Sequence, residues 1–281
     1  MDALVTTDWL ESELGASDLR IVDATKFMAD SDRDARAEYA AGHIPGAVFM
    51  DLTELVDVGN SIENMAPQPE KFASRMQSLG LGDGSRIVLY DDSPLNSAAR
   101  AWWLLKLFGA HDVALLDGGL AKWKAEGRQL EMGKQALRHR HFTVWRDAAA
   151  VRTKDQVAAN LESGAEQLVD ARPAARFTGA ERDPRPGMAP GHIPGSRNLP
   201  HNQLFQDNGT WKQGDELKAA FDAAGVDLTK PLVTTCGSGM TASVLAFGAH
   251  LLGKEDVAVY DGSWTEWGAD PATPKTTGPA S

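Results

Sequence analysis

Val233-Thr234-Thr235-Cys236-Gly237-Ser238-Gly239-Met240-Thr241-Ala242 decides how the chain is read, because it sets the only cysteine of 281 residues between a β-branched run and an apolar segment. Val233 to Thr235 favour a strand, and Ala242-Ser243-Val244-Leu245-Ala246-Phe247, continuing to Leu252, reads as a buried helix. Cys236 is then expected at the carboxyl end of a strand, facing a helix N-terminus. Gly237 and Gly239 let the backbone curl with its N–H groups turned inward, and that ring together with the helix dipole stabilises an anion such as a thiolate or a persulfide. On chemistry alone two readings of Cys236 stay open: a reactive thiol, or the small buried apolar side chain that a lone cysteine more often is. Gly-x-Gly after a strand is equally compatible with a plain turn or a phosphate loop. A cysteine phosphatase, however, needs an arginine closing the loop around three phosphate oxygens, and no Arg or Lys occurs from Cys236 to Gly253.

Working outward from this stretch, an internal repeat emerges. Ile21-Val22-Asp23-Ala24 answers Leu168-Val169-Asp170-Ala171, and Gly42-His43-Ile44-Pro45-Gly46-Ala47 answers Gly191-His192-Ile193-Pro194-Gly195-Ser196. Ile87-Val88-Leu89-Tyr90 answers Leu232-Val233-Thr234-Thr235, and Asp117-Gly118-Gly119-Leu120-Ala121-Lys122-Trp123 answers Asp261-Gly262-Ser263-Trp264-Thr265-Glu266-Trp267. Four features recurring in order at about one domain length describe a duplicated unit. Each half alternates short apolar strands with helical segments, which implies an α/β fold with a parallel sheet and functional loops at the carboxyl ends of the strands. The expected domains are residues 1–131 and 151–281, joined by a linker over 132–150 that carries the run Arg138-His139-Arg140-His141. Within the boxes, Pro and Gly make a tight turn, and His43 and His192 read as local hydrogen bonders rather than catalysts. Trp102, Trp103 and Trp123 read as packing residues.

The repeat also separates the two halves chemically. It places Asp91 opposite Cys236, so the loop Asp91-Asp92-Ser93-Pro94-Leu95-Asn96 lacks a nucleophile and has the wrong charge for an anion cradle. The amino-terminal half is expected to be catalytically silent.

Composition narrows the function class. A formal net charge of −11 argues against nucleic acid as a partner, since phosphate binding needs a basic face. No apolar run approaches the length of a membrane span and the amino terminus has no charged-then-apolar leader, so the chain reads as cytoplasmic with no membrane partner. One cysteine excludes an internal disulfide and argues against a structural zinc site, so metal ligation is not expected. Arg176, Arg182 and Arg185 run against the acidic balance in a Gly- and Pro-rich loop before the second His-Ile-Pro-Gly box. Such arginines either grip a carboxylate bidentately or form a solvated charged loop with Glu181 and Asp183.

Cys236-Gly237-Ser238-Gly239-Met240-Thr241 resembles the active loop of the rhodanese superfamily, in the Cys-Gly-Ser-Gly-Val-Thr form of mercaptopyruvate sulfurtransferases, with Met240 in place of valine. The two His-Ile-Pro-Gly boxes and the Asp-Gly-Ser-Trp-x-x-Trp box extend the resemblance over nearly the whole chain. It implies two tandem rhodanese-like domains, of which the second moves sulfane sulfur from 3-mercaptopyruvate through a persulfide on Cys236, with no metal or organic cofactor. It further implies that Ser238 assists at the sulfur, and that Gly237, Gly239, Met240 and Thr241 line the donor site. Arg176, in Arg-Phe-x-Gly, and Arg185, before the Gly-x-x-Pro-Gly-His turn, match arginines that hold the donor's carboxylate and carbonyl. The acceptor implied is cyanide, a small thiol or a thioredoxin-like protein. Thiosulfate as donor, or a non-catalytic persulfide relay module, are the rival readings. The chain departs from the family at two positions, with Thr53 and Asn64 where an acidic residue and a histidine usually form a relay with the loop serine. Asparagine cannot shuttle a proton as histidine does.

Overall fold

The computed structural model describes residues 1–133, 135 and 137–280. The chain divides into two compact units, the first comprising Met1–Asp57, Ala66–Asp147 and Asp207–Thr210, the second Val58–Met65, Ala148–Gln206 and Trp211–Ser281.

In the first unit, strands β1 (Leu4–Val5), β2 (Leu19–Asp23), β3 (Val48–Phe49), β4 (Arg86–Tyr90) and β5 (Val113–Leu116) form one sheet in the order β1-β5-β4-β2-β3. Every pairing is parallel. Parallel neighbours need crossovers, and these are supplied by α1 (Thr7–Glu13), α2 (Ala35–Ala41), α3 (Pro69–Ser78) and α4 (Ala98–Leu107), with α5 (Gly119–Ala125) after the last strand. The second unit repeats the plan. Strands β6 (Val151–Arg152), β7 (Gln167–Asp170), β8 (Arg197–Asn198), β9 (Leu232–Thr235) and β10 (Val257–Tyr260) run in the order β6-β10-β9-β7-β8, again all parallel. Its helices are α6 (Lys154–Ser163), α7 (Ala174–Thr178), α8 (Gly214–Ala223), α9 (Ala242–Leu251) and α10 (Ser263–Trp267).

The apolar character of the strands follows from their position. β4 and β9 are the middle strands of their sheets, and Ile87 to Tyr90 and Leu232 to Thr235 are buried throughout. A strand covered on both faces cannot alternate apolar with polar residues. α4 and α9 are likewise buried nearly all round, with Ala98 to Leu105 and Ala242 to Ala249 inaccessible, as a helix laid on the centre of a sheet must be. The loops β4–α4 and β9–α9 therefore each join the middle strand to the most buried helix of the unit.

The boxes do what their composition dictates. Gly46 and Gly195 take φ of 77° and 76°, closing turns in which Ala47 N donates to Ile44 O (3.0 Å) and Ser196 N to Ile193 O (3.1 Å). His43 and His192 are buried, and each points Nδ1 at a backbone carbonyl, Tyr39 O at 2.8 Å and Phe177 O at 2.9 Å. Trp102, Trp103 and Trp123 are core residues.

Besides Asp207–Thr210, which belongs to the first unit, two segments lie elsewhere than their place in the sequence implies. Residues 138–147 pack on the first unit: Phe142 is buried against Phe72, Asp83 receives Thr143 N, and Trp145 N donates to Phe108 O. Val58–Met65, from the amino-terminal half, belongs to the second unit and carries Glu63 to its site.

Candidate active site

Cys236 is the first residue after β9, reduced and 2% exposed. The loop that follows is short of internal partners. Among the described residues, the N–H groups of Gly237, Ser238, Met240, Thr241 and Ala242 have no hydrogen-bond acceptor. Met240 and Ala242 are themselves buried, and buried amides are almost always paired with something. A curled run of unpaired donors ending on a helix N-terminus is a seat for an anion. The hydroxyls of Ser238 and Thr241 also have no partner among the described residues, and both residues are partly exposed, so they are available to a ligand.

Two of the loop amides are used differently. Cys236 N and Gly239 N both donate to Ser263 Oγ at 3.1 Å, and Ser263 Oγ donates in turn to Tyr260 O at 2.8 Å. Thr235 Oγ1 stands 3.3 Å from the same oxygen. Ser263 is fully buried and holds φ at 50°, in the left-handed region that costs a residue with a Cβ about 1–2 kcal/mol. Gly239, at φ 77°, occupies that region without the penalty and turns the loop back toward α9.

The carbonyl side of the loop is clamped. Gly237 O accepts from Thr265 N (2.8 Å), Thr265 Oγ1 (2.7 Å) and Arg185 Nη1 (2.8 Å). A side chain at Gly237 would meet Arg185 Nη2 at 2.6 Å, so glycine is required for this approach. Cys236 O accepts from Trp264 N at 3.0 Å. Trp264 is held by Ala189 O on its indole N–H and by the Arg172 guanidinium 4.4 Å above its ring. Arg172 in turn forms a buried bidentate pair with Asp170.

Arg185 is committed to this framework. Nε and Nη2 donate to the two oxygens of Asp183 at 2.8 Å each, while Nη1 reaches Gly237 O, Thr265 Oγ1 and, at 3.2 Å, Glu63 Oε1. One Nη2 hydrogen has no acceptor among the described residues. Burial pushes the Asp183 carboxyl up, but its bonds to the Arg185 side chain and backbone N–H outweigh that and hold it below the usual carboxylate range. Arg176 makes no hydrogen bond to the loop among the described residues; its Nε is on Glu181 at 3.1 Å and its side chain is partly exposed.

A model of the rhodanese-like domain matches residues 6–126 and again residues 153–270. The chain belongs to the rhodanese family. Among curated rhodanese proteins it is 42% identical to the 3-mercaptopyruvate sulfurtransferase of Homo sapiens over 271 residues, covering 94% of this chain and 91% of that one. It is 41% identical to the 3-mercaptopyruvate sulfurtransferase of Escherichia coli K12, with 94% of each chain covered. The thiosulfate sulfurtransferase of Bos taurus is 40% identical over 94% of this chain and 91% of that one. The crystal structure of the 3-mercaptopyruvate sulfotransferase SseA from Escherichia coli superposes with a TM-score of 0.85 at 38% identity, covering 94% of this chain and 99% of that one.

Within this rhodanese fold, Cys236, Gly237, Ser238, Gly239, Met240 and Thr241 form one loop, and Arg185 is brought onto it. Met240 is buried beneath the loop rather than exposed on it. The two relay positions are occupied by other arrangements. The Thr53 hydroxyl is spent on Asp51 Oδ1 at 2.5 Å, with Arg36 on the other carboxylate oxygen at 2.8 Å, and Asn64 holds φ at 61° next to Glu63. Three residues that shape the site escape a linear reading: Ser263, Thr265 and Glu63. Of these only Ser263 leaves a trace, since the repeat puts Gly119 opposite it and a serine where the twin has glycine needs a reason, while Asp183 is the partner of Arg185 that the charged-loop reading named.

Proposed function

We propose that this protein is a sulfurtransferase that takes the thiol sulfur of 3-mercaptopyruvate and carries it as the sulfane sulfur of a persulfide. The observation that carries the reading is the single buried thiol at the head of a loop in which the N–H groups of Gly237, Ser238, Met240 and Thr241 have no acceptor among the described residues. The Cys236 thiolate attacks the donor sulfur. A bond forms between the two sulfurs, the carbon–sulfur bond breaks, and its electron pair leaves on carbon as the pyruvate enolate, which takes up a proton to become pyruvate. The loop N–H groups hold the negative charge of the persulfide, and they are already in place before reaction, so no reorganisation is needed. An acceptor thiolate or cyanide then attacks the outer sulfur and restores the Cys236 thiolate, a ping-pong course.

Ser238 and Thr241, whose hydroxyls have no partner among the described residues, polarise the donor. Arg176 takes the keto-acid carboxylate after exchanging Glu181 for it, and Arg185 contributes its remaining Nη2 hydrogen while holding Gly237 in place. With Thr53 bound to Asp51 and asparagine at 64, this site runs without a histidine relay, and Ser238 acts by hydrogen bonding alone. The amino-terminal unit, with Asp91 in the cysteine position, carries no sulfur.

The test is intact-protein mass after brief incubation with 3-mercaptopyruvate, and separately with thiosulfate, for the native protein and for Cys236→Ser. One added sulfur from 3-mercaptopyruvate on the native protein alone is the expected result. Loading from thiosulfate alone would transfer the donor assignment to that compound while keeping the nucleophile. Loading from neither, with Cys236 still open to a thiol reagent, would leave a relay that receives its persulfide from a partner protein.

A further inference from the structure

We propose that Ser263 is a positioning residue of the sulfur-carrying loop, acting through its hydroxyl on the backbone N–H groups of Cys236 and Gly239. It adds to the sulfurtransferase reading a residue outside the Cys-x-x-x-x-Thr loop, 27 positions beyond Cys236 in sequence, and it rests on that reading only for its kinetic arm.

Four observations converge. A serine hydroxyl has one hydrogen to give and two lone pairs to accept with; Ser263 gives its hydrogen to Tyr260 O and accepts from Cys236 N and Gly239 N at 3.1 Å, with the Thr235 hydroxyl a longer third donor at 3.3 Å, so its oxygen has no capacity left for a ligand. The anchor, Tyr260 O, lies at the end of β10, a strand hydrogen-bonded to β9, so the pin is fixed to the same sheet that delivers Cys236. The two amides it takes bracket Gly237 and Ser238, whose own N–H groups have no acceptor among the described residues. Fixing both ends of a four-residue arc sets the direction of the two N–H groups between them. Lastly, Ser263 holds φ at 50° where its repeat counterpart, at φ 55°, is Gly119. A left-handed position accepts glycine at no steric cost, and the twin that lacks a nucleophile uses glycine. The active half keeps a side chain there against the conformational preference, and backbone strain of this kind persists where the surroundings impose it for a purpose.

Removing the hydroxyl would leave the Cys236 and Gly239 amides free to turn toward the thiol or away from it, and the cradle would no longer be held in one arrangement. The consequence falls on the chemical step and not on donor affinity, because the arginines that bind the donor do not touch Ser263.

The experiment is single-turnover sulfur loading from 3-mercaptopyruvate, followed by intact mass in a quenched-flow series, on the full chain as wild type, Ser263→Ala and Ser263→Gly, with thermal midpoints for all three. The expected result is a fall of about ten- to a hundredfold in the maximum loading rate in both variants, with the donor concentration for half-maximal rate unchanged. The glycine variant, relieved of the left-handed strain, is expected to melt no lower than the alanine one. A loading rate within twofold of wild type in a folded variant overturns the proposal. Recovery of the rate in Ser263→Gly alone also overturns it, because strain and not the hydroxyl would then be the cause. Should the variants fail to fold, or the wild type load no sulfur from either donor, amide exchange in the native protein decides: Cys236 and Gly239 N–H exchanging more slowly than Gly237 and Ser238 N–H supports the pin, and equal rates refute it.

Discussion

At the end of β4 the chain places a carboxylate, and at the end of β9, in the same position of the same fold, a thiol. The loops that follow differ in what their backbone is doing. After Asp91, Ser93 N donates to Asp91 Oδ1 (3.0 Å), Ala98 N to Asp91 Oδ2 (2.5 Å), Asp92 N to Thr25 Oγ1 (3.1 Å), Leu95 N to Ser93 Oγ (3.1 Å) and Asn96 N to Ser93 O (3.0 Å). Pro94 has no N–H to offer. After Cys236 the corresponding amides have no acceptor among the described residues, apart from those of Cys236 and Gly239 pinned by Ser263. The silent loop carries its own carboxyl group and has closed on it; the active loop has kept its donors for an anion that arrives. A strand end facing a helix N-terminus is thus a charge-accepting device that the same fold either satisfies internally or leaves open.

The largest effect expected from testing this contrast is on sulfur loading. Cys236→Ser abolishes it, and a thiol moved to the other loop, in Cys236→Ser/Asp91→Cys, does not restore it, because only the Ser93 and Ala98 amides are released with the carboxylate while those of Asp92, Leu95 and Asn96 stay bonded to Thr25 and Ser93. Detection of one added sulfur on the double variant by intact mass would break the comparison.

Next in size is the clamp on the active loop. Arg185→Ala leaves the Asp183 carboxylate, whose side chain is 2% exposed, buried without its partner, and is expected to cost about 3–5 kcal/mol in urea unfolding. Adding Asp183→Asn in the same chain recovers much of that stability but not the loading rate, since Gly237 O remains short of one donor. Equal recovery of both would mean that Arg185 serves stability alone.

The silent loop has a pH signature. Burial pushes the Asp91 carboxyl up to about 7, against the pull of its bonds to the Ala98 and Ser93 amides. The folded state then keeps a proton that the unfolded chain sheds near 3.8. Stability from this group is full below pH 3.8 and declines as pH rises to about 7, by a few kcal/mol at most. Asp91→Asn is expected to flatten the stability curve of the protein between pH 4 and 7, measured by chemical denaturation, with no change in loading by Cys236. An unchanged pH slope would show that the carboxylate is not confined as described.

Smaller changes come from the arginines' surface partners. Arg176→Ala breaks a partly exposed pair with Glu181 and is expected to shift stability by no more than about 1 kcal/mol, while raising the donor KM and leaving the acceptor KM alone. Equal effects on both substrates would remove Arg176 from the donor site. Glu63→Gln takes an exposed carboxylate off Arg185 and is expected to lower the KM for an anionic donor about twofold.

Much of the architecture is visible in the chain itself. The repeated boxes record the duplication, and their periodicity records parallel strands covered by helices, because both signals are local: a β-branched run, a Pro-Gly turn, an apolar helix face. The nucleophile and the glycines of its loop are contiguous, so they too can be read from the line of residues. Asp91 opposite Cys236 is legible by the same alignment. Arg185 is legible as a residue, but its geometry is not. Four of its five donors are taken up by groups that come from residues 63, 183, 237 and 265, and only folding brings those together.

The same distinction separates what the amino-acid order determined from what the tertiary structure decided. Strand, turn, helix and thiol follow from short-range preferences of neighbouring residues, and so the order of residues was enough for them. Which N–H groups stay unpaired, which serine adopts a left-handed backbone to hold two of them, and which carboxylate occupies an arginine are questions of donor and acceptor accounting across the whole unit. Hydrogen-bond geometry is satisfied within a few tenths of an ångström in space, between residues tens of positions apart, and no local pattern in the chain encodes that distance.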